Sequence, residues 1–263
     1  MNQPIPYDIT LTFLGTGTST GVPVIACDCP VCMSEDFRDK RLRTSVMLTI
    51  NGKNFVIDSG PDFRYQMIRE QVSDLEAIIF THEHRDHIAG LDDVRAFNYL
   101  LNKRIQVYGT RRIVDSLRGE FAYIFHNTRY FGAPQIDINI IDNNDFTIGE
   151  GIKLTPIEVW HHKQMPVFGY RIGDLTYITD AKYISPEELE KAKGSRILVL
   201  NALRKSRHIS HLSLEEALDI IHYINPEQAY LTHMSHFIGK HQDVEKELPD
   251  NVHLAYDGLK LQL

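Results

Sequence analysis

The chain runs to 263 residues with a formal charge of −7, 43% hydrophobic and 24% charged residues. That length suits one large α/β unit or two small ones, and the composition supplies apolar side chains for a sizeable core. No run reaches the ~18 apolar residues of a membrane span and no apolar signal-peptide core opens the chain, so a cytoplasmic protein without a membrane partner is expected. The acidic balance repels polyanions, and the basic stretches RDKRLR (38–43) and TRRIVDSLR (110–118) are short and interrupted. They read as solvated faces, not as a nucleic-acid stripe.

Residues 8–14, DITLTFL, alternate apolar and polar like an opening strand. The loop GTGTSTG follows at 15–21; no helix or lysine succeeds it in Walker spacing, so it reads as a tight turn and not a nucleotide loop. Runs at 45–52 and 54–60 form a hairpin turning on Asn51-Gly52. A helix is expected over 63–71, and EAIIFTH (76–82) is an apolar run typical of a buried strand. From 91 to about Phe131 the pattern is mainly helical, with a short strand over 105–108.

Strands return at 136–141, 145–148, 152–160, 167–172 and 175–179, before a helix at 186–193 and a strand at 196–200. SLEEALDIIHYI (213–224) is an amphipathic helix with Ser213 as N-cap and Glu216 at the capping-box position. A strand at 228–233, a helix near 240–248 and a hairpin near 252–262 follow. No repeat or linker divides the chain, so one α/β domain over 1–263 is expected, its helices covering sheet faces.

Thirteen histidines stand out, many beside acids. Thr81-His82-Glu83-His84-Arg85-Asp86-His87 follows the buried strand directly, which delivers these side chains to the rim of a sheet. In an extended segment His82 and His84 point to one side, and a turn near Arg85 presents Asp86 and His87 to a neighbouring position. Two pairs of imidazole and carboxylate ligands suit two Zn²⁺, Mn²⁺ or Fe ions better than Ca²⁺. CDCPVC (27–32) holds every cysteine of the chain, Cys27, Cys29 and Cys32. Three thiols this close fit a metal site better than a disulfide framework, and such a site wants a fourth ligand.

THEHRDH resembles the T-H-x-H-x-D-H signature of the metallo-β-lactamase superfamily, which implies an αββα sandwich with a dinuclear metal site. That superfamily also expects a later His, an Asp closing a strand and a C-terminal His; TPIEVWHH (155–162), LTYITD (175–180) and AYLTH (229–233) match. The resemblance implies His82, His84 and His161 on one metal, Asp86, His87 and His233 on the other, and Asp180 bridging. His161 and His162 compete for one role; alternation puts His161 with Ile157 and Val159 on the inward face. Asp58, in VIDSGPDFR, resembles the family's Asp that orients a ligand imidazole through its other nitrogen.

The opening FLGTGTSTGVP, the C-x-C-x-x-C cluster and Thr232-His233-Met234-Ser235-His236 are similar to proteins like the phosphodiesterase of the carbon–phosphorus lyase pathway. That resemblance makes His236 the fourth ligand of a structural zinc with Cys27, Cys29 and Cys32. It also makes His211 in ISHLSLEEAL a general acid, with nearby His208 as the competitor. It implies hydrolysis of a small cyclic phosphodiester by a metal-bridging hydroxide, in a homodimer. Alternatives are a tRNA 3′-processing endonuclease, a lactone or thioester hydrolase on the same metals, and a binding module with a vestigial site.

Overall fold

The computed structural model describes residues 7–126 and 132–263. The first half runs β1 (Ile9–Gly15), β2 (Ser45–Ile50), β3 (Lys53–Ile57), α1 (Phe63–Arg69), β4 (Ala77–Ile79), α2 (Arg85–Ile88), α3 (Arg95–Leu101), β5 (Ile105–Gly109), α4 (Arg111–Glu120), α5 (Ala122–Phe125) and β6 (Ile136–Ile140). The second half runs β7 (Phe146–Ile148), β8 (Ile152–His162), β9 (Met165–Ile172), β10 (Leu175–Ile178), β11 (Tyr183–Ile184), α6 (Pro186–Ala192) and β12 (Ile197–Asn201). It ends with α7 (Leu214–Ile224), β13 (Gln228–Thr232), α8 (His241–Val244), β14 (Val252–Leu254) and β15 (Lys260–Gln262).

Period-two alternation sends the two faces of each strand into different cores. In β2 and β3, Val46, Leu48, Ile50, Phe55 and Ile57 point between the sheets, where they meet Leu154, Phe168, Tyr170 and Tyr177. Met47 and Val56 point the other way, onto Phe63 of α1, Phe97 of α3 and Leu117 of α4. In β12, Leu198 and Leu200 pack on Ala217 and Ile221 of α7 while Val199 faces the inter-sheet core. Each fully buried side chain of this size contributes roughly 1.5–3 kcal/mol. The result is a four-layer αββα sandwich.

The sheets are ordered β15-β1-β2-β3-β4-β5-β6 and β11-β8-β9-β10-β12-β13-β14, with β7 beside β8. Both share one plan: antiparallel strands lead into a parallel set, β3-β4-β5-β6 in one and β10-β12-β13-β14 in the other. The carboxyl ends of parallel strands are where open α/β sheets present ligand-binding loops. Here the ends of β3, β4, β10 and β13 deliver Asp58, the His82–His87 segment, Asp180 and His233. No helix among the described residues is long and apolar enough to cross a membrane.

One expectation needs correction. No closing hairpin forms: β14 pairs parallel with β13 in one sheet, and β15 pairs antiparallel with β1 in the other. The chain crosses between sheets because Asp257 accepts from the Leu42 N–H (2.8 Å) and the Thr16 hydroxyl (2.7 Å), turning residues 255–259 toward β1. The mainly helical stretch from 91, with its short strand over 105–108, takes shape as a 3-10 turn, α3, β5, α4 and α5; Phe131 lies outside the described residues. The Asn51-Gly52 hairpin forms, with φ of 50° and 78° at its two turn residues.

Candidate metal centres

Three strands end just before a residue in the left-handed region: Asp58 (φ 66°), Asp180 (φ 56°) and His233 (φ 57°). Non-glycine residues adopt that region at a cost, and such strain concentrates at functional sites. All three side chains are almost wholly buried; Asp180 and His233 face each other, and Asp58 lies behind His87.

A chain of hydrogen bonds decides which ring nitrogens are left for ligation. Asp58 accepts from the Thr81 N–H, the Thr81 hydroxyl (both 2.8 Å) and His87 Nδ1–H (2.7 Å). Because the Thr81 proton goes to Asp58, Thr81 Oγ1 is left to accept from His82 Nδ1–H at 3.0 Å. His161 Nδ1–H donates to the Ser210 carbonyl at 2.8 Å. The Nε2 lone pairs of His82, His87 and His161 are therefore free, as ligation requires.

These lone pairs converge on acids. His82 Nε2 lies 3.0 Å from His84 Nδ1. His87 Nε2 lies 3.4 Å from Asp86 and 3.3 Å from Asp180, and His233 Nδ1 lies 3.2 Å from Asp180. Asp180 belongs to two tight groupings, one with His82 and His87 and one with His161 and His211. Burial opposes charge on Asp180, yet the facing His233 and His87 hold its carboxyl well below the usual carboxylate range. Burial opposes charge on Asp86 too, and His87 draws it down in the same way. Burial also disfavours a charged His87, but Asp180, Asp58 and Asp86 hold its proton affinity well above that of a free imidazole. Burial first, then the neighbouring His87, pushes His82 well below a free imidazole.

The donor set fits divalent cations. His87 Nε2 and His233 Nδ1 are buried without a hydrogen-bond partner, each facing an ionised carboxylate. Among the described residues no Lys or Arg pairs with Asp86 or Asp180. Buried carboxylates of this kind are paired or coordinate metals, and imidazole with carboxylate suits Zn²⁺, Mn²⁺ or Fe. Between the competing neighbours, His161 is buried and faces His84 (ring centroids 5.1 Å apart), whereas His162 is exposed.

His211 sits over this cluster. Its Nδ1 is 3.7 Å from Asp180 and unpartnered, and its ring stacks on His233 at 4.8 Å. Burial, then the neighbouring His233, pulls its proton affinity down to about 2. His208 is half-buried and engages its own loop through Ser210, whose N–H donates to His208 Nδ1 at 3.3 Å.

The second centre is separate. Cys27, Cys29 and Cys32 place their sulfurs 3.3, 3.4 and 3.4 Å from His236 Nδ1. Tetrahedral zinc with Zn–S ~2.3 Å and Zn–N ~2.0–2.1 Å gives S···N edges of roughly 3.5 Å, so the four atoms fit one closed site. The Cys32 N–H draws the Cys29 thiol down to about 6, while burial pushes Cys32 up to about 11. Cys32→Ser is expected to lose one zinc per chain by elemental analysis and to lower the melting temperature by more than about 5 °C, because structural zinc binding is folding free energy. An unchanged zinc count would rule the staple out.

Sequence reasoning passed over several supports. Asn201 accepts from the Ala181 N–H (2.8 Å) and donates to the Ala181 carbonyl (3.0 Å), locking the turn that carries Asp180. Its one sequence signal is a polar residue ending the apolar run ILVLN. The Thr18 hydroxyl, 3.2 Å from His233 Nε2, gives the glycine-rich loop a task. Glu83 pairs with Arg112 at 2.5 Å and Arg85 with Glu120 at 2.5 Å, fastening the ligand loop to α4. A Cβ on Gly60 would lie 2.0 Å from the Asp86 carbonyl. Gly60→Ala should therefore displace Asp86 and cut turnover about 10²-fold with reduced metal content; wild-type metal content and rate would refute that packing role.

Fold and site together define a β-lactamase-superfamily domain with two candidate metal centres. Residues 53–234 match the Beta-lactamase superfamily domain, and the chain belongs to that superfamily, within its PhnP-like group. A solved structure described as a new diphosphatase from the PhnP family superposes with a TM-score of 0.90 at 38% identity, covering 97% of this chain and 98% of that one. An octanoyltransferase of Porphyromonas gingivalis (strain ATCC BAA-308 / W83) is 39% identical over 250 residues, 94% of this chain and 50% of that protein. A ribonuclease Z of Rippkaea orientalis (strain PCC 8801 / RF-1) is 29% identical over 173 residues, 62% of this chain and 47% of that protein. The chain thus spans about half the length of these curated relatives.

Proposed function

We propose that this chain is a dinuclear phosphodiesterase that opens a cyclic phosphate on ribose or a related nucleotide. The observation that carries the reading is His211, an imidazole poised over Asp180 whose ring touches ligand candidates on both sides. The names of two relatives, a diphosphatase and a ribonuclease Z, support phosphoryl chemistry.

In this reading His82, His84 and His161 would hold one cation and Asp86, His87 and His233 the other, with Asp180 serving both; Cys27, Cys29, Cys32 and His236 would hold zinc. When bound, the catalytic pair acidifies water and takes up charge on phosphoryl oxygens. Asp58 fixes His87 in the tautomer that presents Nε2, through the 2.7 Å bond. Thr18 and Asn201 hold His233 and the Asp180 turn. His211 is neutral in the free protein; an anionic phosphoryl group docking beside it raises its proton affinity, and His211 then protonates the departing alkoxide. We also propose a cytoplasmic setting and a homodimer, the latter checked by sedimentation.

Phosphorus NMR of the protein incubated with the ribose-bridging cyclic phosphate of adenosine tests the substrate. Conversion to a single monoester isomer is expected, and an unaltered cyclic phosphate beside rapid hydrolysis of a simple diester would remove the cyclic assignment. The octanoyltransferase relative favours a second reading, thioester hydrolysis on the same metals. Faster turnover of an octanoyl thioester than of any phosphodiester would establish it instead.

A further inference from the structure

Alternation along β8 has a consequence outside the metal centre. With His161 turned inward, Trp160 and His162 fall on the opposite face. There they line a cleft of about 580 Å³ with Lys163, Lys182, Tyr183 and Ile209. β11 pairs antiparallel with β8 and sets Tyr183 directly across from Trp160. Side chains so paired stand side by side on one face, Cβ atoms ~4.5–5.5 Å apart, so two aromatic side chains lie next to each other in the cleft's lining.

Its far wall belongs to the catalytic loop. Ile209 is 74% exposed and Tyr183 57%, large apolar groups left in water beside a working site. Ser210, next to Ile209, accepts from His161, and His211 follows. Ile209 thus sets one wall of the cleft two residues along the chain from His211. Its charges are of two kinds. The Lys182 ammonium is committed to Glu216 at 2.8 Å and contributes its alkyl stem. Lys163, and Arg207 two residues before Ile209, are exposed and have no ion-pair partner among the described residues. Uncommitted cations here, on a chain of net charge −7, complement an anion.

We propose that this cleft is the base subsite: a purine or pyrimidine of a nucleoside phosphate stacks on Trp160 and Tyr183 under Ile209, and Lys163 faces its anionic groups. The assignment rests on the phosphodiesterase reading and deepens it, since it makes nucleotides, not bare ribose phosphates, the preferred class. Two π-faces with a cation at the rim suit a planar base. An alkyl chain would want an enclosed apolar tube, whereas this cleft, though mainly apolar, lies open to solvent with His162 and Lys163 in its lining.

Trp160 is the only tryptophan of the chain, so intrinsic emission reports the cleft alone. Titrating the metal-loaded protein with AMP should quench that emission saturably, and ribose phosphate, which carries the phosphate without the base, should not. Tyr183→Ala, at an exposed position, should weaken AMP about tenfold. Trp160→Ala should weaken AMP as a competitor of diester hydrolysis to a similar degree, with Trp160→Phe restoring it. No saturable change with AMP, an equal change with ribose phosphate, or equal displacement by octanoate would overturn the subsite. Hydrolysis of diesters without quenching would remove the subsite alone. Quenching in protein that cleaves no diester would keep it and remove the phosphodiesterase reading.

Discussion

Asp180→Asn should strip the catalytic cations while leaving the cysteine-bound zinc, and lower turnover by more than about 10²-fold. Partners that touch a metal only through its ligands already cost 10–100-fold in affinity or activity when mutated, and Asp180 stands inside both ligand groupings. Its carboxylate also lies 3.3 Å from His87 Nε2, 3.2 Å from His233 Nδ1 and 3.7 Å from His211 Nδ1. The amide cannot supply the charge that offsets two cations. Elemental analysis before and after dialysis decides the matter: a variant keeping its full catalytic metal content would contradict the bridging position. The cysteine cluster is the internal control, because Asp180 makes no contact with it.

His211→Ala should behave differently. Metal content is expected to stay at the wild-type level, since the acid role places His211 over the cations' ligands and not among them. Turnover on a diester with a poor leaving group should fall ~10²–10⁴-fold, the usual worth of general acid catalysis, and much less on a nitrophenolate leaving group. Equal losses on both would remove the acid role. Loss of a cation would instead move His211 into the ligand set, as its grouping with His161 and Asp180 allows. His208→Ala is the comparison: its ring lies 5.3 Å from that of His211 and its nitrogen is held by Ser210, so a smaller effect is expected.

Local pattern carried the reading where the physics is local. Alternation in 45–60, the apolar run before Thr81 and the capping box at Ser213 each depend on neighbours within a few residues, and each produced the expected element. Helices interspersed with strands gave one α/β domain, and the αββα class came from the resemblance of THEHRDH to the metallo-β-lactamase superfamily. Apolar runs mislead at their ends: Asp58, Asp180 and His233 leave extended geometry because tertiary contacts hold them in the left-handed region, which no local preference announces. The closing hairpin failed for the same reason, since the pull on residues 255–259 comes from Leu42 and Thr16, more than two hundred residues away.

Site supports were harder to see than the candidate ligands. His82, His84, Asp86 and His87 announce themselves by density in seven residues of sequence. Asn201 and Gly60 do not, because their roles exist only once β10 meets β12 and the Asp58 turn meets α2. The Trp160–Tyr183 cleft needs the β8–β11 pairing before its rings become neighbours.

The most direct test of the central claim is hydrolysis of bis(p-nitrophenyl) phosphate by protein purified without chelator and assayed with added Mn²⁺ or Zn²⁺, beside a His84→Ala variant. The account predicts turnover that vanishes with chelator and in the variant. No turnover from fully metallated wild-type protein, or equal turnover in the variant, would contradict it.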